Sequence, residues 1–215
     1  MSEKNKKIPK NKNDKKKDGN LIFRIITLGD SGVGKTSIIN RYVNNIFNEN
    51  TSSTVGLNQA IKDVFFNKKE KVSLKLIDTC GQEKFKALTK SYLKNTDAVL
   101  FVFAFNDKDS FNNIKDWMNL FYENNKIKEK PQMLLGNKSD LKSEIDENLI
   151  NDFVQSNKIR YIKTSAKDKI NINESIEEMG KILYQKYDPS KGQLNNIVIS
   201  YKESKKKHNC SLCRP

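Results

Sequence analysis

Cysteine is scarce in this 215-residue chain, and its three copies, Cys80, Cys210 and Cys213, lack the spacing of a disulfide framework. That excludes a small stapled secreted domain and suits a reducing compartment. No apolar run approaches the roughly 18 residues that span a bilayer. The lysine-rich start is followed by no apolar segment, so no secretory signal is expected. Residue 2 is Ser rather than Gly, which excludes N-myristoylation. Glycine is sparse too, nine in all, yet Gly29, Gly32 and Gly34 crowd into one short stretch. Acidic residues are outnumbered, and the formal net charge is +14. The excess sits unevenly: residues 1–19 carry net +5, residues 188–215 net +4, and the 168 residues between them a mild +5. No stacking-aromatic signature, zinc-finger spacing or recognition helix accompanies this charge, so no nucleic-acid partner is expected. Basic charge placed at the two ends suits an anionic membrane surface.

What is present is organised around Gly29-Asp30-Ser31-Gly32-Val33-Gly34-Lys35-Thr36. It reads G-x-x-x-x-G-K-T, the pattern whose inward-turned backbone N–H groups cradle phosphates. An apolar, β-branched run, Leu21–Leu28, precedes it, and Ser37–Val43 follows with apolar residues at helical spacing. Strand, glycine loop and helix are the context this motif needs. Asp30, Ser31, Gly32, Val33, Gly34, Lys35, Thr36 and Ser37 are therefore expected around a nucleoside triphosphate, with Lys35 reaching the outer phosphates and the Thr36 hydroxyl ligating Mg²⁺.

Residues 1–20 are Lys, Asn and Asp with almost nothing apolar, and read as a disordered basic arm. The organised domain is expected over 21–187, with a flexible basic tail over 188–215. Within the domain, apolar runs alternate with helical patterns. Strands are expected at Leu21–Leu28, Ala60–Phe66, Val72–Ile77, Ala98–Phe105, Gln132–Gly136 and Arg160–Lys163. The four-residue turn Asn67–Glu70 makes the second and third antiparallel. Asn44–Asn58 reads as a surface loop and Lys84–Leu93 as a loop and helix. Helices are expected over Asp109–Asn124, Asp146–Asn157 and Asn173–Tyr187. The fold class is α/β: a P-loop NTPase with a six-stranded, mostly parallel sheet, one antiparallel strand and helices on both faces.

Three further motifs carry chemistry. Asp78-Thr79-Cys80-Gly81-Gln82-Glu83 follows a strand: Asp78 can hold Mg²⁺ through water, Gly81 can aim its N–H at a terminal phosphate, and Gln82 can orient an attacking water. Asn137-Lys138-Ser139-Asp140 follows another strand. The Asp140 carboxylate accepts two N–H bonds from guanine's N1 and N2 edge, which adenine cannot offer. Asn137 can tie loops together, and the Lys138 stem can lie along the base. Ser165-Ala166-Lys167 can close over the base with a backbone donor.

These four ordered motifs resemble those of a small GTPase of the Ras superfamily, over roughly residues 21–187. The resemblance implies two more positions by spacing: Phe47 against the guanine, and Thr54 as a first-switch residue binding Mg²⁺ and the γ-phosphate. Asp30-Ser31, Gln82-Glu83-Lys84-Phe85, Ser91-Tyr92 and the two-cysteine end look most like the Rab branch. The Arf branch would place Gly at position 2, the Rho branch an insert after Asp140, and Ran-like proteins an acidic tail. Two positions depart from the Rab pattern: Gln59 and Ile77 stand where Rab proteins carry Phe and Trp, and only Tyr92 remains of that partner-reading patch. Cys80 replaces the usual Ala, as a small apolar swap or as an oxidation-sensitive thiol.

The resemblance implies a GTP/GDP switch that hydrolyses slowly, with Gln82 and Lys35 catalytic. Its partners would be an exchange factor, a GTPase-activating protein and effectors. It would work at the cytoplasmic face of an intracellular membrane, cycling with the cytosol. Cys210 and Cys213 stand in an unusual Cys-x-x-Cys-x-x end, expected to be geranylgeranylated beside Lys205-Lys206-Lys207. The rival readings are a nucleotide-binding interaction module without significant hydrolysis and a nucleic-acid protein using the basic ends.

Overall fold

The computed structural model describes residues 21–49, 57–66, 71–80, 92–125, 130–188 and 193–194. The expected basic arm, the turn at 67–70, most of Lys84–Leu93 and the cysteine-bearing end lie outside the described residues.

In chain order the elements are β1 (Leu21–Leu28), α1 (Lys35–Asn44), β2 (Leu57–Phe65), β3 (Lys71–Thr79), β4 (Ala98–Ala104), α2 (Lys108–Asn112), α3 (Ile114–Asn124), β5 (Gln132–Asn137), α4 (Glu147–Asn157), β6 (Arg160–Lys163) and α5 (Ile172–Lys186). Six strands form one sheet in the order β2-β3-β1-β4-β5-β6. The β2–β3 pair is antiparallel, in register with Val64 opposite Val72. Every other pairing is parallel, as the short β2–β3 connection and the helical crossovers require.

Strand alternation divides the core into two layers. Phe23, Ile25, Leu74, Leu76, Leu100, Val102 and Met133 face α1 and α5, meeting Ile38, Tyr42, Ile176, Met179 and Leu183. Ile26, Leu28, Ile77, Val99, Phe101, Phe103 and Leu134 face α2, α3 and α4, meeting Phe111, Trp117, Phe121, Ile150 and Phe153. All seven residues of β4 are buried, which is why that strand shows no polar alternation.

The structure differs from the expected elements in three places. The helix expected over Asp109–Asn124 is broken at Asn113. The Asp107 carboxylate accepts from Ser110 N and caps a five-residue α2, and Asn113 then starts α3. The surface loop expected to Asn58 ends earlier, because Leu57 and Asn58 already pair with Thr79 and Asp78. Beyond α5, Tyr187–Asp188 pairs antiparallel with Gln193–Leu194. The Tyr187 ring, expected on the core face of the last helix, meets Phe23 edge-on at 6.1 Å, and the pairing reaches residues 193–194, where the sequence predicts only tail.

Candidate functional site

The carboxyl ends of parallel strands, near the point where strand order reverses, are where open α/β sheets bind ligands. Here β1 has β3 on one side and β4 on the other. At this end of the sheet lies a cleft of about 400 Å³. It is lined by Ser31, Gly32, Gly34, Lys35, Thr36 and Ser37 of the loop after β1, and by Phe47, Asn48 and Glu49 after α1. Thr79, then Asn137, Lys138, Asp140 and Leu141, then Ala166 and Lys167 complete it.

The glycine loop has its sequence because of what lies against it. Gly29 has φ +150, and a Cβ there would sit 2.1 Å from the Val102 carbonyl oxygen. Gly34 has φ +95 and caps α1, and a Cβ there would strike the Asn137 amide at 2.3 Å. Since Gly34 brings no side-chain cap and the first turn of α1 holds no acid, the first amides and the positive end of the helix dipole suit an anion. Lys35 is buried, its Nζ donating to the carbonyls of Gly29 at 2.8 Å and Asp30 at 2.6 Å. Burial pulls its pKa down to about 8, against the opposing pull of Asp78 and Asp30.

Thr36 Oγ1 donates to Asp78 Oδ2 at 2.7 Å. This hydroxyl–carboxylate pair is the all-oxygen donor set a hard cation such as Mg²⁺ takes. No group of three or more His, Cys, Asp or Glu gathers among the described residues; beside nucleotides Mg²⁺ takes phosphate oxygens and water as further ligands, and the expected Thr54 ligand lies outside the described residues. Cys80, immediately after this strand, is buried, which removes the exposure that oxidation sensing needs.

Asn137 is the hub of the site and is 1% exposed. Its Nδ2 donates to Val33 O at 2.8 Å, and its Oδ1 accepts from Ala166 N and Thr164 Oγ1, each at 3.3 Å. The phosphate loop and the 165–167 loop are thereby held by one amide. Asp140 is oriented in turn by Ser165 Oγ, which donates to its Oδ1 at 2.6 Å.

Not every predicted site residue faces the cleft with its side chain. Val33 is wholly buried in the α1–α5 layer and offers its carbonyl to Asn137. Ser165 is buried and acts on Asp140. The Asp30 carboxylate turns away, accepting from Trp117 Nε1 at 2.7 Å and Asn113 Nδ2 at 2.8 Å. That clamp fixes the phosphate loop to the start of α3, at the helix break. Asp30→Ala should weaken GDP binding by about tenfold, the value of about one charge-assisted bond, and shift the emission of Trp117, the chain's single tryptophan. A fluorescence-monitored GDP titration within twofold of wild type would show the clamp to be idle. Thr54, Gly81, Gln82, Cys210 and Cys213 lie outside the described residues.

The sequence reading missed Asn48, Glu49, Thr79 and Leu141, all in the cleft lining. Thr79 sits between two flagged residues, Asp78 and Cys80, and could have been found by adjacency. The others carry no local pattern. Gln59, Ile77 and Tyr92 do come together: Gln59 pairs with Ile77 across β2–β3. With Arg24, Lys75 and Asn95 they line a second cleft of about 330 Å³.

Fold and cleft together define an α/β protein of the P-loop class, with the glycine loop after β1 and the loops after β5 and β6 around one cleft. The sequence model of the Ras family matches residues 24–185. Ras-related protein Rab-13 of Rattus norvegicus is 32% identical over 199 residues, which cover 89% of this chain and 96% of that protein. GTP-binding protein ypt1 of Schizosaccharomyces pombe is 31% identical over 183 residues, 84% and 89% respectively. Ras-related protein SEC4 of Saccharomyces cerevisiae is 35% identical over 202 residues, 88% and 91%. The chain belongs to the Ras family, as a Rab-like small GTPase of the Ras superfamily.

Proposed function

We propose that this chain is a GTP/GDP switch of membrane traffic that binds Mg²⁺-nucleotide in the cleft, hydrolyses GTP slowly and docks on a membrane through a lipidated basic tail. The observation that carries the reading is convergence. Lys35, the Thr36–Asp78 pair, Asn137, Asp140 and the 166–167 loop, drawn from four stretches of sequence, line or frame one cleft. Mg²⁺ bound there would offset charge on the β–γ bridge. Lys35 and the loop amides bear on the same oxygens. Asp140 selects guanine, Phe47 flanks the base, and Ser165 holds Asp140 in place. Thr54 and Gly81 would meet the γ-phosphate, and losing it would release both loops.

Slow turnover follows from where the arginines are. Among the described residues, Arg41 is bonded to the carbonyls of Ala166, Lys167 and Asn45, and Arg160 to Glu178. Arg24 lines the second cleft. None of the three is an arginine finger, so an activating protein supplies that group in trans. Effectors read the surface around Gln59, Ile77 and Tyr92, and an exchange factor opens the nucleotide cleft. At the tail, geranylgeranyl groups on Cys210 and Cys213 with Lys205, Lys206 and Lys207 give the two signals stable anchoring needs. Among the described residues no helix is long and apolar enough to cross a membrane. The proposed attachment is through that tail, at the cytoplasmic face of an intracellular membrane.

Equilibrium binding of GDP, GTP and ATP, followed by single-turnover hydrolysis with Mg²⁺, tests the reading. Guanine nucleotides should bind at least about a hundredfold tighter than ATP, because a site built to bond one base leaves polar groups unpaired with another. Preference for ATP would overturn the assignment. Gln82→Leu should lower single-turnover hydrolysis by about tenfold or more without weakening GTP binding. Hydrolysis equal to wild type would remove Gln82 from catalysis, and no hydrolysis by the wild-type chain would favour the non-hydrolysing interaction module.

A further inference from the structure

The base end of the cleft is closed by bonds that do not involve the phosphate loop. Arg41, in the last turn of α1, donates from Nε to Ala166 O at 2.8 Å, from Nη2 to Lys167 O at 3.0 Å and from Nη1 to Asn45 O at 2.9 Å. The same guanidinium lies 5.7 Å from the centre of the Phe47 ring. One planar fork therefore fixes three carbonyls and faces an aromatic ring, joining the segment after α1 to a loop 125 residues further along the chain. Phe47, Ala166 and Lys167 all line the cleft, so both of its walls at this end are held from behind by one side chain. Lys167 Nζ also meets Glu49 Oε1 at 2.7 Å. That pair is exposed and screened by salt, so it adds little beside the guanidinium.

We infer that Arg41 is a positioning residue for the nucleotide base, holding the 166–167 loop and Phe47 in one arrangement and thereby setting how fast bound nucleotide leaves. The inference rests on reading the cleft as the guanine-nucleotide site. Arg41 touches no part of the ligand in this scheme; it acts through the two walls. Its five donors in a rigid fork are what the three carbonyls require, and a lysine ammonium on a flexible stem cannot reproduce them.

The test is release of a fluorescent GDP analogue from the Mg²⁺-loaded full chain, chased with excess GDP. Arg41→Gln should speed release by about tenfold, and Arg41→Lys should release nearly as fast as Arg41→Gln. Phe47→Ala combined with Arg41→Gln should speed release by less than the product of the two single effects, because the Phe47 wall is common to both changes while the 166–167 wall depends on Arg41 alone. A purely architectural Arg41 would give multiplied effects in the double variant, or a lower melting temperature with release within twofold of wild type. Either result, or full rescue by Arg41→Lys, would overturn the inference. If the wild-type chain fails to hold GDP, the reading of the cleft falls and this inference with it. If it holds GDP and Arg41→Gln leaves release unchanged, this inference fails alone.

Discussion

Lys35→Met is expected to abolish useful nucleotide binding while leaving the fold intact. The Nζ is buried beneath the glycine loop and donates to two carbonyls of that loop, Gly29 and Asp30. An ammonium about 4 Å from a phosphate charge in a partly buried site is worth about 4 kcal/mol, or about a thousandfold in affinity. Calorimetric titration with GDP measures it, and a loss under tenfold would contradict the role. The same burial works against the free protein. The Lys35 pKa lies at about 8, below its ordinary 10.5, so between these values the unfolded chain binds more protons than the folded one. Stability of the nucleotide-free protein therefore rises as pH increases from about 8 towards 10.5. The destabilising charge is fully present below pH 8. Lys35→Met should lose this rise in a pH series of melting temperatures, and a variant that kept it would place the titration elsewhere.

Asn137→Ala should be the most damaging change outside the phosphate loop. Its amide makes the direct bonds between that loop, at Val33 O, and the base-binding loop, at Ala166 N. Truncation leaves buried partners unsatisfied, at about 3 kcal/mol in all. For a domain of this size each kcal/mol lowers the melting temperature by about 2–4 °C. GDP affinity should fall by about a hundredfold, because phosphate and base halves of the cleft lose their common reference. The readouts are separable. A lower melting temperature with GDP affinity within tenfold of wild type would show that Asn137 supports the fold and does not couple the loops.

The contrast between Lys35 and Arg41 shows how much of the site can be read along the chain. Lys35 is legible because its function is local: glycine loop, lysine and helix start lie within eight residues, and the loop's glycines are forced by φ and by the closeness of Val102 and Asn137. Arg41 reads only as an arginine on a helix, because its partners lie 125 and 126 residues away. Asp30 reads as a ligand contact from its place in the motif, and its carboxylate instead meets α3, 87 residues on at Trp117. The helix break at Asn113 is equally hidden. The 3.6-residue pattern of apolar positions runs through 108–124 nearly unbroken, while the competing bonds from Asp107 and to Asp30 belong to capping and tertiary structure.

The order of residues is enough to give the α/β class, the strand set with one antiparallel pair, and the motifs that gather around the cleft. Each of these depends on short-range geometry or on a contiguous run of apolar side chains. Folding in three dimensions settles which of those residues face the cleft, that Asn137 joins two of its loops, that the Asp30 carboxylate bonds α3, and that Arg41 bonds the carbonyls of Ala166, Lys167 and Asn45. Those outcomes rest on hydrogen bonds whose partners come together only when the sheet has ordered its strands β2-β3-β1-β4-β5-β6, and no local pattern encodes a bond of that range.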